Sequence, residues 1–127
     1  MRLVRRHSLL FTTVRATLAG RAVDIPDVLV DTGSASTILD VDVVAELGIE
    51  PTPTDLLRGI RGVGGTEYVF TRRLDRLAVG ERALDGMIVE VGGMDYGFPM
   101  NGILGLDFLV ATGALLNLRD LSIALLD

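Results

Sequence analysis

Asp31 stands where an apolar run, Val28-Leu29-Val30, gives way to Thr32, Gly33 and Ser34. The three apolar residues have the character of a buried strand, and Gly33 lets the backbone turn sharply and approach another group closely. A carboxylate at such a junction is only partly hydrated and needs hydrogen bonds. The amides and hydroxyls of Thr32, Gly33 and Ser34 are the nearest candidates. Chemically, such a carboxylate can take a proton from water or return one to a leaving group. An ordinary β-turn uses the same residue types, so the tetrapeptide alone leaves a structural turn and a catalytic carboxylate both open.

The residue types that are missing narrow the chemistry further. The chain has no Cys, which removes thiol nucleophiles, disulfides and thiolate metal sites. All 12 cationic side chains are Arg, so neither a Schiff base nor the lysine of a phosphate-binding loop is available. His7 is the only histidine and lies near the chain start beside Arg5 and Arg6, where a solvated side chain is expected. A Ser-His triad and a histidine metal cluster are thereby excluded, and no metal or cofactor is expected. Carboxylates and water remain for hydrolysis.

Two further segments carry distinctive patterns. Gly62-Val63-Gly64-Gly65 places three glycines in four residues between the β-rich stretches Leu56 to Arg61 and Thr66 to Phe70, the signature of a hairpin with a flexible tip. A nucleotide-binding glycine loop is disfavoured, because position 67 is Glu and no helix follows. Ile103-Leu104-Gly105, after Gly102, reads as a short buried strand leading into a helix over Leu106 to Thr112.

The elements that must position these segments are mostly short strands. Ser8 to Ala19 and Ala22 to Ile25 form a pair around Gly20, and Pro26 is expected to separate the second strand from Val28 to Asp31. Asp40 or Asp42 can cap a short helix through Leu47, with Gly48 as its stop. Glu50 to Thr54 is a loop. Strands at Leu74 to Val79, Arg82 to Leu84 and Met87 to Val91 continue the meander, and Gly92 to Pro99 forms a glycine-rich loop. Ala114 to Leu126 reads as two strands around Arg119-Asp120. Leu109-Val110-Ala111-Thr112-Gly113 echoes the Asp31 segment with Ala in place of the carboxylate, but no second hairpin follows it.

A chain of 127 residues without a linker or low-complexity segment is a single domain, 1–127, large enough for a proper core. Hydrophobic residues make up 49% and charged residues 23%, which excludes a disordered chain. The net charge of -5 argues against nucleic acid as a partner. The basic cluster Arg72, Arg73 and Arg76, interrupted by Asp75, reads as a solvated strand or turn. The longest apolar run, Ile103 to Leu118, is too short to span a bilayer and contains Asp107, so no membrane association is expected. The beginning of the chain reads as strand and the expected location is the cytoplasm. Arg2, Arg5 and Arg6 before Leu9-Leu10-Phe11 only weakly imitate an export signal.

Asp31-Thr32-Gly33-Ser34, the hairpin tip Gly62-Val63-Gly64-Gly65, and Ile103-Leu104-Gly105 followed by a short helix resemble, in this order, a retropepsin-type aspartic protease. The resemblance runs from about Ser8 to the C-terminus. It implies an all-β, single-lobe aspartic protease β-barrel with one or two short helices, a flap hairpin and a two-fold dimer. It makes Asp31 the catalytic aspartate and gives Thr32 the task of locking two active-site turns together. Val63 and Gly64 become the tip of a flap over an extended peptide substrate. Ile103-Leu104-Gly105 becomes the strand supporting the catalytic turn from beneath. Aspartic peptide hydrolysis requires both an acid and a base, and only Asp31 sits in the right motif, so the second carboxylate must come from another copy. In that homodimer the segments Met1 to Arg6 and Ser122 to Leu126 are expected to interleave between subunits. The alternatives are a catalytically silent dimer or peptide-binding module on the same fold, and a plain β-barrel with a chance motif.

Overall fold

The structure is a computed structural model that describes residues 1–62, 65–94, 97 and 99–125, with the backbone alone described at 60–62 and 65–67. Its strands are β1 (Val4–Arg6), β2 (Leu9–Leu18), β3 (Arg21–Val30) and β4 (Ile38–Asp40). A short helix α1 (Val41–Val44) and a 3₁₀ turn (Ala45–Leu47) follow. Then come β5 (Arg58–Gly62), β6 (Gly65–Arg73), β7 (Arg76–Val79), β8 (Arg82–Asp85), β9 (Ile88–Gly92) and β10 (Gly102–Leu104). Helix α2 (Leu106–Ala111), β11 (Ala114–Asn117) and β12 (Ser122–Leu125) complete the chain. The main sheet runs β5-β6-β9-β4-β10-β3-β2-β7-β8 with β1 added on β2, while β11 and β12 form a separate hairpin.

Most elements form where the local sequence leads. Asp40 caps α1 by accepting from the Asp42 N–H at 2.8 Å, and Gly48, at φ 82°, stops the 3₁₀ turn in a conformation that a side chain would oppose. The glycine-rich hairpin is present as β5 and β6, in register from Arg58 opposite Val69 to Gly62 opposite Gly65. Its tip residues Val63 and Gly64 lie outside the described residues. Residues 50–57 are tied down by Arg72. Its guanidinium grips both oxygens of Asp55, at 2.6 and 2.8 Å, and stacks on the Phe70 ring at 4.7 Å. That grip, with the Thr52 amide as a second donor, holds the Asp55 carboxyl well below the usual carboxylate range. The Arg cluster is therefore not simply solvated. Arg73 donates to the Gly86 carbonyl and Arg76 pairs with Asp85.

Pro26 does not divide two strands. β3 continues through it, and its pairing with β2 shifts by one residue between Thr12 opposite Val28 and Val14 opposite Ile25. This bulge suits a residue without an N–H, because the displaced backbone makes no ladder bond there. Asn101 pins it from the side, giving its Nδ2 to the Pro26 carbonyl and its backbone N–H to the Asp27 carbonyl, both at 2.9 Å. The shift inverts the alternation of β3. Ile25 and Val28 both face the larger core, which also holds Val14, Leu39, Val91, Leu104 and Phe108. Leu29 faces a second cluster, with Phe11, Ile38, Val69, Met94, Met100 and Ile103. Without the extra residue Leu29 would point into the larger core, and so would Asp31, two positions further on.

The two ends of the chain meet each other. Arg2 bridges to Ser122, the Leu3 N–H donates to the Leu121 carbonyl at 2.8 Å, and the Ile123 N–H donates to the Met1 carbonyl at 2.9 Å. Within one chain, Met1, Arg2 and Leu3 thus pair with residues 121–123; Leu126 lies outside the described residues. The echo at Leu109 to Gly113 is no second half-site, since Leu109, Val110 and Ala111 are helical where Leu29 and Val30 are strand.

Candidate active site

β10 enters the sheet between β3 and β4, parallel to the first and antiparallel to the second. Gly102 permits this, since a Cβ there would lie 2.7 Å from the Ile38 carbonyl oxygen. Ile103 sits opposite Leu29 and Leu104 opposite Val30, and the ladder extends one step further through the Asp31 N–H, which donates to the Leu104 carbonyl at 3.0 Å. Ile103 and Leu104 thus lie beside the Asp31 segment and hold it in place.

The turn after Asp31 is closed by its own backbone. The Ser34 N–H donates to the Asp31 carbonyl at 3.2 Å, and the Gly33 N–H donates to Asp31 Oδ1 at 2.8 Å. Asp31 is half-buried, and among the described residues its Oδ2 takes no donor. The Ser34 hydroxyl donates to the Ser36 carbonyl at 2.8 Å, so it supports the turn and leaves the carboxylate alone. Thr32 is exposed, and with Leu106, Leu109, Val110 and Leu116 it lines a shallow apolar hollow beside the turn.

A second network, centred on the buried Thr37, fixes the turn from below. Thr37 Oγ1 donates to Asp107 Oδ1 at 2.8 Å and accepts from the Gly105 N–H at 3.1 Å, while the Thr37 N–H donates to Asp107 Oδ2 at 3.1 Å. Asp107 also accepts from the Phe108 N–H at 2.8 Å, and the Leu106 N–H donates to the Ser34 carbonyl at 2.7 Å. Gly105 must remain glycine because a Cβ would collide with the Ser36 carbonyl. Both Asp107 oxygens are therefore committed to holding the start of α2 against the Asp31 turn. With both oxygens engaged there, Asp107 is not available as a partner for Asp31. Asp95, in the glycine-rich loop, lies outside the described residues.

Sequence reasoning found Asp31, Thr32, Gly33 and Ser34 together in one turn and Ile103, Leu104 and Gly105 directly beside it. It missed Thr37, whose partners are 68 and 70 residues away and leave no local pattern. Gly62 and Gly65 close the β5-β6 hairpin, which joins the sheet through β6 on β9, and β9 in turn lies beside β4. Among the described residues no group of three or more His, Cys, Asp or Glu could hold a metal ion, and no helix is long and apolar enough to cross a membrane.

Comparison with known proteins follows the same lines. The family model described as aspartyl protease matches residues 14–108, well over half of the chain. Among solved structures, the crystal structure of a retropepsin-like aspartic protease from Rickettsia conorii is similar, with a TM-score of 0.67 at 19% identity, covering 94% of this chain and 92% of that one. No curated protein matches the sequence. The span of the family match, which includes Asp31 and reaches α2, places the chain in the aspartyl protease family, with a retropepsin-like fold.

Proposed function

We propose that this protein is an aspartic endopeptidase acting as a homodimer, with Asp31 of two copies forming one catalytic pair. The observation that carries this reading is the state of Asp31: one carboxylate oxygen is held by the Gly33 amide, and the other takes no donor from its own chain among the described residues. Two carboxylates brought together share one proton, because both cannot readily ionise at that separation. The ionised Asp31 takes a proton from a bound water as the water oxygen attacks the peptide carbonyl. The protonated Asp31 of the second copy gives its proton to the carbonyl oxygen. Return of a proton to the amide nitrogen then releases the two product peptides.

The dimer reading is supported by the exposed Thr32 hydroxyl and by the apolar hollow next to it, where Leu106 and Val110 stand exposed. A two-fold axis through this region would bring like turns together. The β5-β6 hairpin is the flap in this reading, closing over an extended peptide that pairs through its backbone and sets alternate side chains against the apolar cluster around Ile38 and Ile103. No cofactor is required, since carboxylates and water suffice.

The test is incubation with a mixed peptide library at acidic pH, with and without a pepstatin-type inhibitor, beside an Asp31→Asn control. Cleavage that the inhibitor suppresses and the variant lacks is the expected result. Cleavage retained by folded Asp31→Asn would remove Asp31 from the mechanism.

A further inference from the structure

One level of the sheet carries a continuous row of side chains on a single face. Phe11 pairs with Leu29, Leu29 with Ile103, Ile103 with Ile38, Ile38 with Glu90, and Glu90 with Thr71. Ladder partners project to the same face, and residues two apart along a strand share it. Asp31 follows Leu29 by two and continues its ladder, so its carboxylate rises from this same face. Phe11, Ile38 and Ile103 are buried and, with the half-buried Leu29, form an apolar cluster on this face. Glu90 interrupts it.

Glu90 is only 5% exposed and carries a carboxylate in a row that is otherwise largely apolar. Its partner is Arg58 of β5, which sits opposite Val69 and therefore on the same face, and which reaches across β6 to give Nη2 to both Glu90 oxygens. Only the carboxylate half of this pair is withdrawn from water. The carboxylate is spent on its partner, whereas the Arg58 side chain is 60% exposed and, among the described residues, its Nε and Nη1 groups have no acceptor. The charge offered to the cleft is thus positive.

We propose that Arg58, positioned by Glu90, is a specificity-determining residue that selects peptides with an acidic side chain near the scissile bond. This rests on the reading of Asp31 as the catalytic carboxylate. Three ladder steps of about 4.8 Å separate Leu29 from Glu90, and an extended peptide advances about 3.3 Å per residue, so the selected side chain lies within about four residues of the cleaved bond. A guanidinium with free N–H groups on adjacent nitrogens matches a carboxylate in a two-bond arrangement that an ammonium or a neutral amide does not reproduce.

The experiment compares kcat/KM for peptide pairs differing only by Glu or Gln at each of the four positions on either side of the bond, at about pH 5, where the substrate carboxylate is largely ionised. For the wild type, the Glu peptide is expected to be cleaved about tenfold faster than its Gln twin at one position, a difference of the size one charge-assisted contact supplies. Arg58→Lys should keep part of that ratio. The double variant Arg58→Leu with Glu90→Leu, which leaves no buried charge unpaired, should bring it to about one. The ratio is a readout that simple loss of stability does not move. A wild type that cleaves Glu and Gln peptides alike at every position, or a double variant that keeps the preference, overturns the assignment while leaving the protease reading intact. A folded wild type that cleaves no peptide overturns both together.

Discussion

At Asp31 the turn does two things at once: the Gly33 amide holds one carboxylate oxygen, and the Ser34 N–H closes the turn on the Asp31 main-chain carbonyl. Asp31→Asn preserves the shape of this turn, so the variant is expected to fold normally and to lose peptidase activity, as circular dichroism beside a peptide cleavage assay would measure. Ser34 behaves differently from what its place in the motif suggests. Sequence proximity makes its hydroxyl a natural donor to the carboxylate, which would lower the acid limb of the pH–rate profile. In the fold it donates to the Ser36 carbonyl. Ser34→Ala should therefore leave the acid limb where it is and cost about 1 kcal/mol of stability, the usual net value of one such bond. A limb shifted upward would mean that the hydroxyl turns to Asp31 during catalysis. The identity of the turn was thus legible from four adjacent residues, but the direction of one hydroxyl was not, because it depends on where the chain goes two residues later.

Among the elements, the turn is only as rigid as the strand and helix that clamp it. Thr37 links β10's exit at Gly105 to the start of α2 through Asp107, and it is fully buried. Thr37→Val removes the hydroxyl while keeping the shape, leaving the Gly105 amide without an acceptor and Asp107 Oδ1 with the Phe108 N–H alone. The expected cost is about 1–3 kcal/mol in urea unfolding, with a lowered kcat at saturating peptide. A second clamp holds residues 50–57 before the hairpin through Arg72 and Asp55. Since the guanidinium lowers the folded-state pKa of Asp55, its stabilisation is present in full above the unfolded value near 3.9 and is lost as pH falls toward the depressed folded value. Urea unfolding of wild type and Asp55→Asn should therefore differ most at neutral pH, and the gap should shrink below about pH 4. A gap independent of pH would show that the loop is held by something other than this charge pair. Strand alternation and the Ala19-Gly20 turn, both residues at positive φ, make several of these elements readable in advance, whereas the His7-Ser8 turn, also at positive φ, carries no such signal. Pro26 misleads because a bulge is defined by register with the neighbouring strand, and register is a property of two segments together.

The molecule as a whole carries one Asp-Thr-Gly turn and one exposed apolar hollow beside it, and the proposed chemistry needs two carboxylates. In the proposed dimer the exposed surface around Thr32, Leu106 and Val110 is a place where two copies would meet. The need for a second copy is legible in the sequence, which carries a single Asp-Thr-Gly motif, whereas the surface beside the turn takes shape only in the fold. If two copies share the site, specific activity falls as the protein is diluted through its dimer dissociation constant, which a self-sufficient monomer would not show. Mixing separates the cases more sharply. Equal amounts of wild type and Asp31→Asn, allowed to exchange subunits, leave roughly a quarter of the dimers with two carboxylates, whereas independent monomers retain about half of the activity. Activity should therefore follow the square of the wild-type fraction across a titration of mixtures, with exchange verified by native mass spectrometry of tagged and untagged chains. A linear dependence under complete exchange would place both catalytic groups in one chain, and neither the occupied Asp107 nor any second Asp-Thr-Gly turn offers such a group.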